Sequence, residues 1–352
     1  MDVTTAFRIQ AETCRRLGSE LYGRLLDVAA ADLEAEGPTF RLIPGWPGEP
    51  VEDAVALRLM AGVHRLVLIG AAPDLAGHYP TAGGTPVWPG CGEAFLSVVV
   101  DHPEALAWSM RLAPQTNEIG RSATLLGGLL EVGRMTNRPL RLLELGASAG
   151  LNLAFDRYRY ELGGGTWGDP ANPVVIRSEW RGSPPVTAGK LTIASRAGCD
   201  PHPVRLDRAD DVASLRSYVW GDQTDRLADL DRAITLARAD PPVVEAAPAE
   251  IWLPDRLAET TPGVTTVVWH SVLVQYLPAP SRHRLLGIVR GAGSAATADA
   301  PLAWLRLEPG PTHLELRLSM WPSGTDLLLA EAHAHGSWTN WFVGAAPPLT
   351  AG

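Results

Sequence analysis

With 352 residues, 46% hydrophobic and 20% charged, the chain has the composition of a globular protein that buries one large core or two modest ones, and general disorder is excluded. A net charge of −9 speaks against a surface that wraps nucleic acid, and Lys190 is the only lysine, so the basic residues follow a GC-rich codon bias rather than phosphate recognition. Cys14, Cys91 and Cys199 lie far apart without a C-x-x-C pair. With no basic-then-apolar leader and no apolar run of spanning length, we expect a soluble cytoplasmic protein with no membrane or nucleic-acid partner.

In chain order, Phe7, Cys14, Leu17, Leu21, Leu25 and Val28 recur at helical spacing and predict one long helix over 5–33. Gly37 and Pro38 end it. Glu52 and Asp53 are placed to start a second helix through Leu57, Met60 and His64, and a histidine on that apolar stripe reads as a satisfied core residue. The stretch 77–92, rich in Gly and Pro, reads as an irregular loop and a candidate lid. Helices resume over 93–110 and 118–134, so residues 1–135 form a helical cap or substrate domain. Within it, Thr116 or Asn117 can cap a helix start and Glu118 suits its dipole. Capping does not require Gln115 or Arg121. We therefore expect Gln115, Asn117, Glu118 and Arg121 to close over cofactor or substrate, with Arg121 pairing a carboxylate.

The chain is organised around 140–152, Leu-Arg-Leu-Leu-Glu-Leu-Gly-Ala-Ser-Ala-Gly-Leu-Asn. An apolar strand ends in Glu144, and small residues then lead into a helix, the way an open α/β sheet presents a nucleotide-sized ligand at its carboxyl edge. Gly146 and Gly150 let the backbone turn sharply beside a ligand, and helix amides from Ala149 onward are expected to point at it. Glu144 would repel a pyrophosphate and suits a cationic or hydroxyl-rich ligand. This run resembles motif I of class I S-adenosylmethionine-dependent methyltransferases, an acid-x-Gly-x-Gly-x-Gly stretch. Glu144, Gly146 and Gly150 match, and Ser148 replaces the middle glycine.

The resemblance organises the rest. An insertion near 158–190, with a strand pair or loop at 173–179, separates the glycine loop from a strand at 191–195 that leads to Arg-Ala-Gly-Cys-Asp-Pro-His-Pro. Its Asp200 resembles the acid that in this family holds the ribose hydroxyls from the end of the second strand. Helices are predicted over 207–218 and 223–238, separated by Trp220-Gly221-Asp222, with the aromatic read as a packing anchor. A short strand falls at 243–245. The β-branched run 265–269 followed by His270-Ser271-Val272-Leu273-Val274-Gln275-Tyr276 predicts a central strand with polar residues at its carboxyl edge and a short helix beyond. It resembles the family's fourth-strand motif. That likeness puts Ser271 at the methyl donor, Gln275 and Tyr276 on the acceptor side, and His270 as the first candidate base.

A helix over 281–291 and a strand over 302–307 come next, then strands 313–321 and 326–333 around Pro322-Ser323-Gly324, a hairpin signal. His333 and His335 share one side of a strand without a third metal ligand at fixed spacing, so no metal site is assigned. No internal repeat, P-loop, zinc-protease or nucleophile-elbow signature occurs.

Nearly the whole chain looks like an uncharacterised bacterial family known only as a domain of unknown function. The expected architecture is α/β: a Rossmann-like methyltransferase sheet over 136–352, with parallel core strands and a C-terminal antiparallel hairpin, beside the helical cap. The resemblance implies S-adenosyl-L-methionine as cofactor, seated by Glu144, Gly146, Ser148, Gly150, Asn152, Asp200 and Ser271, and a small-molecule acceptor. Two alternatives stay open: a non-catalytic S-adenosylmethionine- or nucleotide-binding sensor, and a dinucleotide-dependent oxidoreductase. Replacing Gly150 by Val is expected to abolish donor binding and preserve the fold.

Overall fold

The computed structural model describes residues 1–185, 187 and 191–342. The end of the expected insertion, 186 and 188–190, and the tail 343–352 of the expected sheet domain lie outside the described residues. Two compact units divide the chain: 1–116 with 204–231, and 117–203 with 232–352.

The first unit is helical. The periodicity expected to give one helix over 5–33 gives two, Val3–Arg16 and Glu20–Glu34. The break lies at Gly18, whose φ of +88° reverses the backbone, and Ser19 then caps the second helix, its Oγ accepting from Tyr22 N at 3.2 Å. Pro103 likewise splits the expected 93–110 helix into Gly90–Asp101 and Pro103–Met110, since proline has no N–H to continue a ladder. The helix Val55–Leu68 supplies Leu59, Met60 and Val63 to a core shared with Phe7, Leu25, Leu26, Tyr79 and Phe95. Trp220 joins that core and stacks on Tyr22 at 5.9 Å between ring centroids. This indole, the bond of Ser217 O to His64 and the pairing of Asp210 with Arg65 tie 204–231 to the helical unit.

The second unit is a mixed α/β structure. Its strands are β1 (Leu140–Leu145), β2 (Arg159–Glu161), β3 (Thr166–Trp167), β4 (Val175–Arg177), β5 (Glu179–Gly182), β6 (Ile193–Asp200), β7 (Val244–Ala246), β8 (Thr265–Ser271), β9 (Leu302–Pro309), β10 (Leu314–Trp321), β11 (Thr325–Ala332) and β12 (Trp338–Trp341). Nine form one mostly parallel sheet in the order β5-β12-β11-β10-β9-β8-β1-β6-β7, and β3-β2-β4 form a small sheet within the insertion. The run from β7 through β6, β1 and β8 to β9 is parallel. From β1 the chain passes to β6 and β7 on one side, then returns to β8 and β9 on the other, so the order reverses beside β1. Open α/β sheets place ligands at such a switch point.

The expected hairpin is present, with Met320 opposite Thr325 and Gly324 at φ +72°. The sheet then continues past it through β12 and, from the insertion, β5. β5 was hidden in sequence because its partner β12 is remote, whereas β12 pairs with β11, the strand just before it. The helix Ser122–Thr136 packs on the sheet: a Cβ at Gly128 would lie 2.7 Å from Leu305 Cδ1. On the other face Leu143, Leu145, Val268 and Trp304 pack with Trp252, Leu253, Leu285 and Val289 of the helices Ala249–Ala258 and Ala279–Ala295. No helix among the described residues is long and apolar enough to cross a membrane.

His64 is wholly buried, with Nδ1 3.2 Å from Ser217 O and Nε2 2.8 Å from Thr81 Oγ1. Burial pushes its imidazole down from the usual 6.5 to about 4. The unfolded chain therefore binds a proton that the folded chain refuses between those values. This stability is present above about pH 6.5 and is lost as pH falls toward 4, a loss on the order of 3 kcal/mol. Urea denaturation midpoints should fall over that window, and a His64→Gln variant should show a flatter slope; an unchanged slope would assign the acid limit to other groups.

Candidate active site

β1 carries Glu144 to the carboxyl edge of the sheet, opposite Gly198 of β6 and Trp269 of β8. Beyond it the backbone is left-handed at Gly146 (φ +68°), Ser148 (+54°) and Gly150 (+72°). A Cβ at Gly146 would stand 2.7 Å from Leu273 Cδ1, and one at Gly150 2.8 Å from Pro242 Cβ and 2.9 Å from Val244 Cγ2. Valine at 150 would thus damage the fold as well as the loop, which corrects the expectation that Gly150→Val leaves the structure intact. Gly198, which carried no signal in sequence, serves the same turn: a Cβ there would meet Ala147 Cβ at 2.7 Å.

Following the loop amides one by one changes the expected chemistry. Ala147 N donates to Cys199 O (3.0 Å), Ser148 N to Asp200 Oδ2 (3.0 Å) and Gly150 N to Ala147 O (2.7 Å). Ala149 N and Leu151 N both donate to Asn117 Oδ1, each at 3.2 Å. The run 147–151 is satisfied within the chain, so the expectation of free amides from Ala149 onward is corrected. Helix geometry is also absent there, because Asn152–Arg157 is a 3₁₀ turn, and such a loop offers a phosphate no amide array.

What the loop presents is side-chain oxygens. Glu144 Oε2, Ser148 Oγ and Asn152 Oδ1 are buried without a hydrogen-bond partner among the described residues, and their residues are 3%, 5% and 4% exposed. Such groups are costly to leave unmatched, and three of them within nine residues mark a place for hydrogen-bond partners from outside the chain. Burial holds the Glu144 carboxyl well above the usual carboxylate range, and the charge of Asp200 adds to the effect. Burial also pushes the Cys199 thiol up to about 12, which makes it an unreactive core group.

The other expected site residues fall into distinct places. Asn117, at φ +34°, is spent on the glycine loop. Asp200 accepts from Ser148 N and, through Oδ1, from His202 N at 2.9 Å, so it shapes the loop. Glu118 caps Gly120 N at 3.0 Å, and Arg121 donates from Nε to Ala334 O (2.9 Å) and from Nη1 to Ser271 Oγ (3.4 Å). Gly120 and Gly336 permit that approach: a Cβ on either would lie within 2.2 Å of the other segment's backbone. Gln115 belongs to the helical unit. Gln275 and Tyr276 lie, half-buried, in the turn Val274–Tyr276 after β8.

His270 does not occupy the place expected of a base. It is wholly buried, Trp304 Nε1 donates to its Nε2 at 3.2 Å, and its Nδ1 lies 2.6 Å from Glu308 Oε1. Both ring nitrogens are engaged inside the protein, which leaves neither for a substrate proton. Glu308 is the residue sequence reading passed over. Its signal was available: like Glu144, it is an acid at the carboxyl end of a predicted parallel strand. His333 and His335 are ring neighbours at 5.5 Å, and no group of three or more His, Cys, Asp or Glu among the described residues is placed to hold a metal.

These features define a mixed α/β protein with a glycine loop at the switch point of a mostly parallel sheet. The chain belongs to DUF2332, the family described as an uncharacterized protein conserved in bacteria, whose model matches residues 4–341. No curated protein matches the chain.

The Glu144 environment gives a signed prediction. With its folded value raised, the folded chain keeps a proton that the unfolded chain releases near 4.5. The stability this contributes is complete below that value and is lost as pH rises through the folded one. Glu144→Gln removes the ionisable group, so its stability relative to the parent should increase as pH rises above about 4.5. Parallel denaturation profiles for the two proteins would show that Glu144 is not held protonated.

Proposed function

We propose that the chain binds S-adenosyl-L-methionine at the glycine loop and transfers its methyl group to a small-molecule acceptor. The observation that carries this reading is the set of three buried, unmatched oxygens on Glu144, Ser148 and Asn152, at a left-handed loop beside the topological switch point. They suit a ligand rich in N–H and O–H groups, such as an amine and ribose hydroxyls. Satisfied amides disfavour the pyrophosphate of a dinucleotide, and with it an oxidoreductase. Asp200, which holds Ser148 N of this loop, is the residue that the methyltransferase resemblance assigns to the ribose.

When bound, the cofactor supplies an activated methyl group on sulfur. The chain's own part is to orient and to exclude water, and transfer to a nucleophile already free of its proton needs no acid or base. Arg121, tied to Ser271 and Ala334, is the residue we assign to a carboxylate of donor or acceptor. A second reading, binding without turnover, is favoured by the sealed ring of His270. The same proposal puts the protein in a reducing cytoplasm, where its three buried free cysteines stay thiols.

Calorimetric titration with S-adenosylmethionine, S-adenosylhomocysteine and a nicotinamide dinucleotide tests the proposal. Saturable binding of the adenosyl ligands alone is expected, and Ser148→Gly, which suits the left-handed backbone and removes Oγ together with Cβ, should weaken it by roughly fivefold at about 1 kcal/mol per hydrogen bond. Folded protein that binds neither adenosyl ligand would overturn the assignment, and binding without methyl transfer to any of a broad acceptor panel would select the second reading.

A further inference from the structure

The network around Glu308 reaches the glycine loop. Trp304 Nε1 can only donate, so its 3.2 Å bond to His270 Nε2 leaves the imidazole proton on Nδ1, which donates to Glu308 Oε1 at 2.6 Å. The same oxygen accepts from Leu273 N at 2.9 Å, and Val274 N lies 3.3 Å from Oε2. Between the histidine and these amides is Val272, a β-branched residue held at φ +53° with its N–H on Leu307 O at 2.9 Å. Backbone of this kind persists only where its surroundings hold it. Its consequence is the direction taken by Leu273, whose Cδ1 stands 2.7 Å from where a Cβ on Gly146 would be.

We propose that Glu308 is a positioning residue for the ligand loop. By joining His270 to the amides of Leu273 and Val274 it sets the left-handed turn at Val272 and seats Leu273 on Gly146. The proposal rests on the glycine loop being the ligand site. It gives the buried His270 a role as a spacer between Trp304 and the carboxylate, and it accounts for an acid at the end of β9 whose bonds are to the chain itself. A simple cap on the Val274–Tyr276 turn would affect that turn alone; a positioning residue also affects 146–151, more than a hundred residues away in sequence.

Hydrogen–deuterium exchange of the full chain, with S-adenosylhomocysteine as titrant, tests this. In Glu308→Ala, exchange should rise at least about tenfold both at 272–276 and at 146–151, and affinity should fall by a similar factor. Glu308→Gln keeps one oxygen for His270 and Leu273 and should restore both segments to within about threefold of the parent. Leu273→Ala leaves the Glu308 bonds in place and should loosen 146–151 alone. Exchange that rises only at 272–276 in Glu308→Ala, or 146–151 unchanged in Leu273→Ala, overturns the proposal, and the second criterion holds even where Glu308→Ala fails to fold. Loosening of 146–151 in a chain whose parent binds no adenosyl ligand upholds the positioning role and removes the S-adenosylmethionine reading.

Discussion

The loop after β1 turns through left-handed backbone at Gly146, Ser148 and Gly150, and its amides are held by Asn117 and Asp200, two side chains remote in sequence. Most of the site's character follows from that constraint. Because the N–H groups between Ala147 and Leu151 find partners inside the chain, the loop cannot offer the amide cradle that binds phosphate. Because the turn needs space, Gly198 on the neighbouring strand lacks a Cβ and Leu273 packs where a side chain on Gly146 would stand. The loop's remaining polar capacity lies on the side-chain oxygens of Glu144, Ser148 and Asn152.

Strain at the site is concentrated in three residues that are not glycine. Asn117, Ser148 and Val272 all have positive φ, and each is held by hydrogen bonds at its own position or next to it: Asn117 through its carboxamide, Ser148 through its N–H to Asp200, Val272 through its N–H to Leu307 and the Glu308 bonds just beyond. Backbone strain of this kind accumulates where a binding site is preorganised. The buried His270 belongs to the same system. With an indole N–H on one nitrogen and a carboxylate on the other, it transmits geometry rather than protons.

Comparison of sequence reading with structure separates two kinds of residue. Elements whose cause is local were legible. The β-branched run of β8, the hairpin around Gly324 and the acid-glycine run after β1 each follow from side-chain periodicity or turn chemistry within a few residues. The helix expected over 5–33 failed at Gly18 because a uniform apolar stripe masks a single left-handed residue. Asn117 was expected in a functional cluster on its polarity, and its partners, the amides of Ala149 and Leu151, follow it by some thirty residues. Glu308 carried the same strand-end signature as Glu144 and was overlooked because no glycine loop follows it.

The sequence by itself determined that this is a globular α/β chain built on parallel strands, with a glycine loop after β1 and acids at the carboxyl ends of its strands, because hydrophobic period and turn residues act over short distances. Tertiary structure alone decided how the polar groups of that site are used. Only the fold brings Asn117 and Asp200 to the loop amides, closes Trp304 and Glu308 on the ring of His270, and puts Trp220 in a helical core formed largely by residues more than a hundred positions earlier. The physical reason is that a hydrogen bond or a buried aromatic depends on separation in space, and pattern along the chain encodes separation in space only within one element.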